Sequence, residues 1–275
     1  GVKMANAAVN ECDVLFLVGA RVGDRAVKTP LALEKTTKII HIDIDPAEIG
    51  KNIGADLPLV GDAKLVLQQM TELAKPMKHD EWIAHIKTLG GERKYVEPAK
   101  GTVNPRVFID RLAKKMPANV TVVADVGQNQ IWTCTEYKFR KEGRLLTSGG
   151  MGTMGYSVPA AIGAKMADNS RATVAICGDG AFQMSFMELA TAVQFGVDIK
   201  VVVMTNNRLG MVRELQTNGY HDRQTAVFLD GSPDFIKLAE AYGIPAMRVY
   251  DDDTMEKGVE MLAEHKGEIG RASCR

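Results

Sequence analysis

The sequence predicts an α/β chain built on parallel sheets. Three observations predict it: short runs of β-branched apolar residues, stretches of helical periodicity between them, and loops rich in glycine, aspartate or asparagine directly after the runs. The clearest runs are residues 173–177 and 199–205. Such runs suit strands covered on both faces, the habit of parallel sheets. Between them Phe186, Leu189, Ala190 and Val193 recur at helical spacing, and Gly196 closes the helix. A right-handed crossover returns the second run parallel to the first.

Taken in order, residues 1–75 read as a first region of this kind. It has a helix through Val9, a strand at 14–18 ending at Gly19, and a strand at 38–44. A further helix is expected there, with Asp45 as N-cap and Pro46 at its first position. Residues 76–104, rich in Lys, Glu and Gly, read as a linker with one short helix near 82–89. Residues 105–267 form the second domain, with strands at 120–124, 173–177, 199–205 and 247–249. Residues 268–275 break the amphipathic pattern of the preceding helix and read like a translated adapter, so they are expected to be a non-native tail. The chain carries no internal repeat and no low-complexity segment.

Composition narrows the function classes. The 275 residues are 45% hydrophobic and 25% charged, as in a globular chain of one or two domains. A formal net charge of zero gives no electrostatic reason to expect nucleic acid or an anionic membrane as partner. No apolar run is long enough to span a bilayer, and no signal pattern opens the chain, so a cytoplasmic location is the expectation. Cys12, Cys134, Cys177 and Cys274 stand singly, which argues against a zinc site or a disulfide framework. Cys177, inside an apolar run, reads as an inert buried thiol.

The chemistry concentrates where the two clearest runs end. Gly178-Asp179-Gly180 follows the first, and its glycines are expected to let the backbone turn sharply and approach a ligand closely. Asn206-Asn207 follows the second. Open α/β sheets bind ligands beyond the carboxyl ends of their strands, so Asp179 and Asn207 are expected to share one ion. A carboxylate, an amide oxygen and a loop carbonyl are hard ligands too few to enclose a divalent cation. Phosphate oxygens would complete the octahedron at about 2.0–2.1 Å. Either motif alone is commonly a plain turn or loop opener; their ordered combination favours a clamp for magnesium and a diphosphate.

This pattern resembles the magnesium and diphosphate motif of the thiamine-diphosphate-dependent enzymes. Four further segments, DVGQNQIW from Asp125, TSGGMGTMGYSVPAAIGA from Thr147, PDFIKLAEAYG from Pro233 and IIHIDIDPAEIGKN from Ile39, resemble the catalytic large subunits of acetolactate synthase, also called acetohydroxyacid synthase. The resemblance runs to about Gly267. It implies a thiamine-diphosphate-binding fold with a parallel sheet, preceded by half of a Rossmann-like middle domain, and a chain that starts inside that middle domain. It also implies a transferase that decarboxylates pyruvate and condenses it with a second 2-keto acid. The product is 2-acetolactate or 2-aceto-2-hydroxybutyrate, on the route to the branched-chain amino acids.

The same resemblance assigns residues. Asp179 and Asn207 would hold magnesium, with the backbone carbonyl of Leu209 as third ligand; Gly180 and Ala181 would offer amides to phosphate at a helix start. Gln128 and Asn129 would lie against the diphosphate, with Gly210 and Met211 also contacting the cofactor. Gly152 and Met154 would meet the aminopyrimidine through the main chain, and the Met154 side chain would hold the cofactor bent. Read without the resemblance, the glycine-rich stretch 149–155 is a mobile loop. The activating glutamate of the family belongs to a domain this chain does not include, so the chain alone is expected not to turn over. Flavin adenine dinucleotide is implied through Asp43 and Asp45 at a strand end, where acids meet ribose hydroxyls, although an N-cap explains Asp45 equally well. The implied partners are small 2-keto acids, a second copy in a homodimer or tetramer, and a small regulatory subunit.

Departures from the family pattern bear on specificity. The loop after Asn207 is one residue short, and Leu215 occupies a tryptophan-like position lining the substrate channel. Asn129 replaces the usual histidine, which preserves hydrogen bonding. Val22-Gly23-Asp24 replaces an aromatic followed by two acids in the middle domain, which weakens the flavin expectation. Two alternatives stay open: another enzyme with the same cofactor, such as glyoxylate carboligase or pyruvate oxidase, and a non-catalytic phosphate-binding module.

Overall fold

A computed structural model describes residues 2–23, 26–27, 30–90, 95–264 and 271–274. The chain divides into two compact units, Gly1–Arg93 and Lys94–Arg275.

In the first unit α1 (Lys3–Glu11) leads to β1 (Val14–Val18), followed by α2 (Pro30–Glu34), β2 (Lys38–Asp43), β3 (Leu57–Val60), α3 (Ala63–Leu73) and α4 (Asp80–Thr88). The three strands pair in parallel in the order β1-β2-β3. Ile39 and Ile42 of β2 are fully buried, and Val22, Leu33 and Ile53 close around Ile39 with Leu15 and Leu17 of β1. Asp62 caps α3 by accepting from the Leu65 amide at 3.1 Å. The helix expected after Asp45 is absent. Its carboxylate does accept from the Ala47 amide at 2.8 Å, but residues 46–50 form a run of turns instead. An Asx turn satisfies the same side chain without committing the backbone to a helix. The interval read as a linker carries α4, which packs against α1, with His85 Nε2 2.6 Å from Glu11 Oε2.

The second unit contains α5 (Pro105–Lys115), β4 (Thr121–Ala124), α6 (Gln128–Glu136), β5 (Arg144–Thr147), α7 (Ser157–Ala167), β6 (Thr173–Gly178), α8 (Asp179–Gln183), α9 (Leu189–Gln194), β7 (Lys200–Met204), α10 (Gly210–Gly219), α11 (Phe235–Ala241), β8 (Ala246–Val249), α12 (Asp252–Glu264) and β9 (Arg271–Cys274). Its six strands are parallel in the order β5-β4-β6-β7-β9-β8. Alternate residues feed two cores. Val122, Val174, Ile176 and Val202 pack with Phe108, Ile109 and Leu112 of α5 and Val259 and Leu262 of α12. Val123, Ala175, Cys177, Val201 and Val203 pack on the other face with Val158 and Ile162 of α7, Phe182 of α8, Leu189 of α9 and Phe235 of α11. The result is a three-layer, doubly wound sheet, the α/β class the sequence predicts.

Several elements differ from expectation. The single helix expected between β6 and β7 is broken into α8, a 3₁₀ turn at Phe186–Glu188 and α9. Gly196 does end it, at φ 58°. β3 and β5 carry little sequence signal and were not expected. Residues 271–274, within the stretch set aside as a tail, run as β9 between β7 and β8. Backbone pairing of this kind needs no particular side chain.

The chain direction explains where a site forms. From β4 the sheet extends one way to β5 and the other way to β6 and β7. The carboxyl ends of β4 and β6 therefore flank a topological switch point, where doubly wound sheets leave a crevice.

Candidate active site

The segments leaving β4, β6 and β7 enclose a cavity of about 330 Å³ within the second unit. Its wall includes Gln128 and Asn129 at the start of α6, Asp179, Gly180 and Ala181 after β6, and Leu209, Gly210 and Met211 after β7. Met154 also lines it, while Val103, Pro105 and Trp132 form an apolar flank.

Asp179 is the electrostatic centre. It is 1% exposed, and its carboxylate receives only backbone amides: Gly180 at 2.9 Å on Oδ1, and Asn206 at 3.0 Å and Asn207 at 2.6 Å on Oδ2. No basic side chain among the described residues pairs with it. Burial pushes its pKa up from the ordinary carboxylate value, and the amides of Asn207, Gly180 and Asn206 oppose that rise. A buried carboxylate held by dipoles and lacking a countercharge is suited to receive a cation. No three His, Cys, Asp or Glu side chains converge among the described residues. A cation here would draw its other oxygens from amides, carbonyls and a ligand, as magnesium does at phosphate sites.

The neighbouring loop, whose amides reach Asp179, is held in one shape. Asn207 adopts a left-handed backbone, φ 53°, which asparagine tolerates better than most residues. The Leu209 amide donates to Val227 O and the Leu229 amide to Asn207 O, both at 2.9 Å. These bonds hold the loop against the segment 227–229. The Leu209 carbonyl accepts from the Arg213 amide at 2.9 Å, a bond that uses one of its two lone pairs.

Several expected roles take a different form. Gly178 has an ordinary extended φ of −83°, and Gly180 lies in α8, so neither makes a left-handed turn. Close approach is the reason for glycine instead: a Cβ on Gly180 would stand 2.8 Å from Leu209 Cδ2 and 3.4 Å from Met154 Cε. The Gly180 amide, expected to face phosphate, is occupied by Asp179 Oδ1. Gln128 Nε2 donates to Glu214 of α10 at 2.9 Å, while Gln128 Oε1 lies where a Cβ on Gly210 would be. Asn129 is buried, and its amide group donates to the carbonyls of Asp125 and Ile176 at 2.8 and 3.1 Å, tying the ends of β4 and β6 together. Gly152, at φ 68°, and Asn207 are not among the cavity-lining residues.

Asp125 received no role from the sequence. It is fully buried, and its two carboxylate oxygens accept from the amides of Val126, Gly155 and Ser157 at 2.8, 3.0 and 2.8 Å. It thereby pins the glycine-rich stretch before α7 onto the end of β4, carrying Met154 to the cavity wall. Its signal was an acid directly after a strand, the same signal that singled out Asp179.

Comparison with known proteins places this geometry. Residues 125–269 match the C-terminal TPP binding domain of the thiamine pyrophosphate enzymes, and residues 1–70 match their central domain. The chain belongs to the thiamine pyrophosphate enzyme family. The probable acetolactate synthase large subunit of Methanocaldococcus jannaschii is 40% identical over 94% of this chain and 45% of its own length. The acetolactate synthase large subunit of Lactococcus lactis is 36% identical over 96% of the chain and 46% of its own length. The isozyme 2 large subunit of Escherichia coli is 35% identical over 97% and 48%. The chain thus spans about half the length of the curated relatives it matches. Membership supports thiamine diphosphate as the cofactor, and the match to the TPP binding domain begins at Asp125, the residue that pins the stretch carrying Met154 to the cavity wall.

Proposed function

We propose that this chain is part of an acetolactate synthase large subunit, using thiamine diphosphate and Mg²⁺ to decarboxylate pyruvate and join the product to a second 2-keto acid. The products would be 2-acetolactate or 2-aceto-2-hydroxybutyrate, in branched-chain amino-acid biosynthesis. The similarity to relatives bearing that name supports the reading. The observation that carries it is Asp179: a buried carboxylate beside Gly180, contacted by the Asn206-Asn207 loop, with no basic partner among the described residues.

Asp179 and the Leu209 carbonyl would hold the cation from the cavity wall, with the Asn207 side chain turning in from its place outside the lining, and the cation would hold the diphosphate. When bound, thiamine diphosphate supplies the electron sink that decarboxylation needs. The chain's own work is placement. Asp125 fixes the stretch carrying Met154, and Met154 lies against Gly180, positioned to wedge the cofactor. Val103, Pro105 and Trp132 exclude water from the flank. Gln128, Asn129, Ala181, Gly210 and Met211 complete the wall.

A flavin in the first unit, assembly as a homodimer or tetramer, a small regulatory subunit and a cytoplasmic location belong to the same proposal. Asp43 and Asp45 at the end of β2 are the flavin candidates, although both already accept backbone amides, from Asp45 and Ala47. None of the described helices is long and apolar enough to cross a membrane. The chain spans about half of its relatives, and its cavity is proposed to hold the diphosphate end of the cofactor.

The decisive experiment is Asp179→Ala in the full-length protein. Magnesium-dependent binding of thiamine diphosphate should be lost, because a hard anionic ligand is gone; unchanged affinity would refute the assignment. Products from pyruvate separate the reactions: acetolactate supports this reading, whereas acetyl phosphate or tartronate semialdehyde points to a different enzyme of the family.

A further inference from the structure

Arg208 lies between the loop that contacts Asp179 and the start of α10, and it lines the cavity. Its backbone is fixed on three counts. The Arg208 amide donates to Asn206 Oδ1 at 3.0 Å, an isolated antiparallel bridge joins Arg208 to Phe228, and Asn207 before it is held left-handed. The guanidinium lies over the Phe228 ring, 4.5 Å from its centroid. Stacking of this kind orients the planar group without consuming its hydrogen-bond donors. One terminal nitrogen, Nη1, is buried with no hydrogen-bond partner. A buried guanidinium donor left unmatched is costly, and because Arg208 lines the cavity of about 330 Å³, an anionic oxygen of a ligand seated there, met by a small shift of the guanidinium, is a partner that matches it.

We propose that Arg208 is an anion-binding residue of this site, donating to a phosphate oxygen of the cofactor or to the carboxylate of a 2-keto acid. The two sources share one chemistry, a delocalised oxyanion that a guanidinium fork matches. The inference rests on the cofactor reading above and deepens it: a second positive element, supplied by a side chain, works alongside the cation at Asp179.

The test is titration of the full-length protein, with Mg²⁺ present, against inorganic pyrophosphate and separately against pyruvate, followed by calorimetry and by fluorescence of Trp132 at the cavity wall. Arg208→Gln should weaken one of these by about ten- to a hundredfold, the loss expected for one charge-assisted bond, and Arg208→Lys should restore part of it. A loss confined to pyrophosphate assigns the phosphate; a loss confined to pyruvate assigns the carboxylate. Phe228→Leu, which removes the ring and leaves every charge in place, should weaken the same ligand by a smaller factor, and it tests the idea even where Arg208→Gln folds poorly. Wild-type affinity for both ligands in Arg208→Gln and Phe228→Leu overturns the role of Arg208 while leaving the cofactor reading intact. A wild-type protein that binds neither pyrophosphate nor thiamine diphosphate removes the cofactor reading as well.

Discussion

β1 and β7 are each five residues long and lie in parallel sheets, yet they meet opposite environments. The β1 sequence, VLFLV, is wholly apolar, but Val14, Phe16 and Val18 are 43%, 47% and 38% exposed. The β7 sequence, KVVVM, opens on a lysine and is buried throughout, with Lys200 at 5% and Val201 to Val203 at 0%. Lys200 manages this by pairing with Asp198. Apolarity therefore does not set burial; cover does. β7 lies between two helical layers, whereas β1 buries only its Leu15 and Leu17 face, against Ile39 and its neighbours.

The largest expected effect tests the covered strand. Val202→Asp would place an unpaired carboxylate between α5 and β6 side chains and should destabilise the second unit by more than about 4 kcal/mol, read as loss of its transition in urea unfolding. A soluble, cooperatively folded variant would show that the layers over β7 are looser than their burial suggests.

Cover also governs how much of the fold is legible in the sequence. β6 and β7, covered on both faces, announce themselves as continuous β-branched runs, and the loops after them stand out because Asp179 and Asn207 are chemically unusual at strand ends. β3 and β5 leave no such trace: the first contains Pro58 and the second opens on Arg144, so neither shows a buried run. Asp45 misleads because an Asx turn and a helix cap use the same oxygen. At the cavity, most of the residues that the sequence singles out do line the wall, but their contacts are not legible. That Gln128 turns to Glu214, that Asn129 joins two strand ends, and that Arg208 stacks on Phe228 each depend on partners far away in sequence.

Next in size is the tight point within the covered unit. Gly180→Ala forces a methyl group to within 2.8 Å of Leu209 Cδ2. Overpacking of this order should cost about 1–3 kcal/mol. Since the same shift moves Leu209 and Met154, cofactor affinity should fall together with the melting temperature. A fall in stability with unchanged affinity would separate the packing from the site.

The covering layer can be loosened without touching the sheet. Asn104 caps α5 by accepting from the Arg106 amide at 3.0 Å and donates to Val96 O at 2.9 Å. Asn104→Ala should cost roughly 1 kcal/mol, visible as a lowered midpoint in urea with the slope unchanged. A changed slope would mean that α5 detaches as a unit and that burial of β4 and β6 depends on this cap.

The smallest effect is expected at β1 and bears most directly on the comparison. Phe16→Asp in this chain replaces a ring that is already 47% exposed. The outward face of β1 carries little packing among the described residues, so the change should cost less than about 1 kcal/mol, within the range of strand propensity alone. An apolar-to-aspartate change would then differ several-fold between two strands of one chain, with cover as the cause. A loss at Phe16 approaching that at Val202 would show that the outward face of β1 is covered in solution, and the contrast between the two strands would fail.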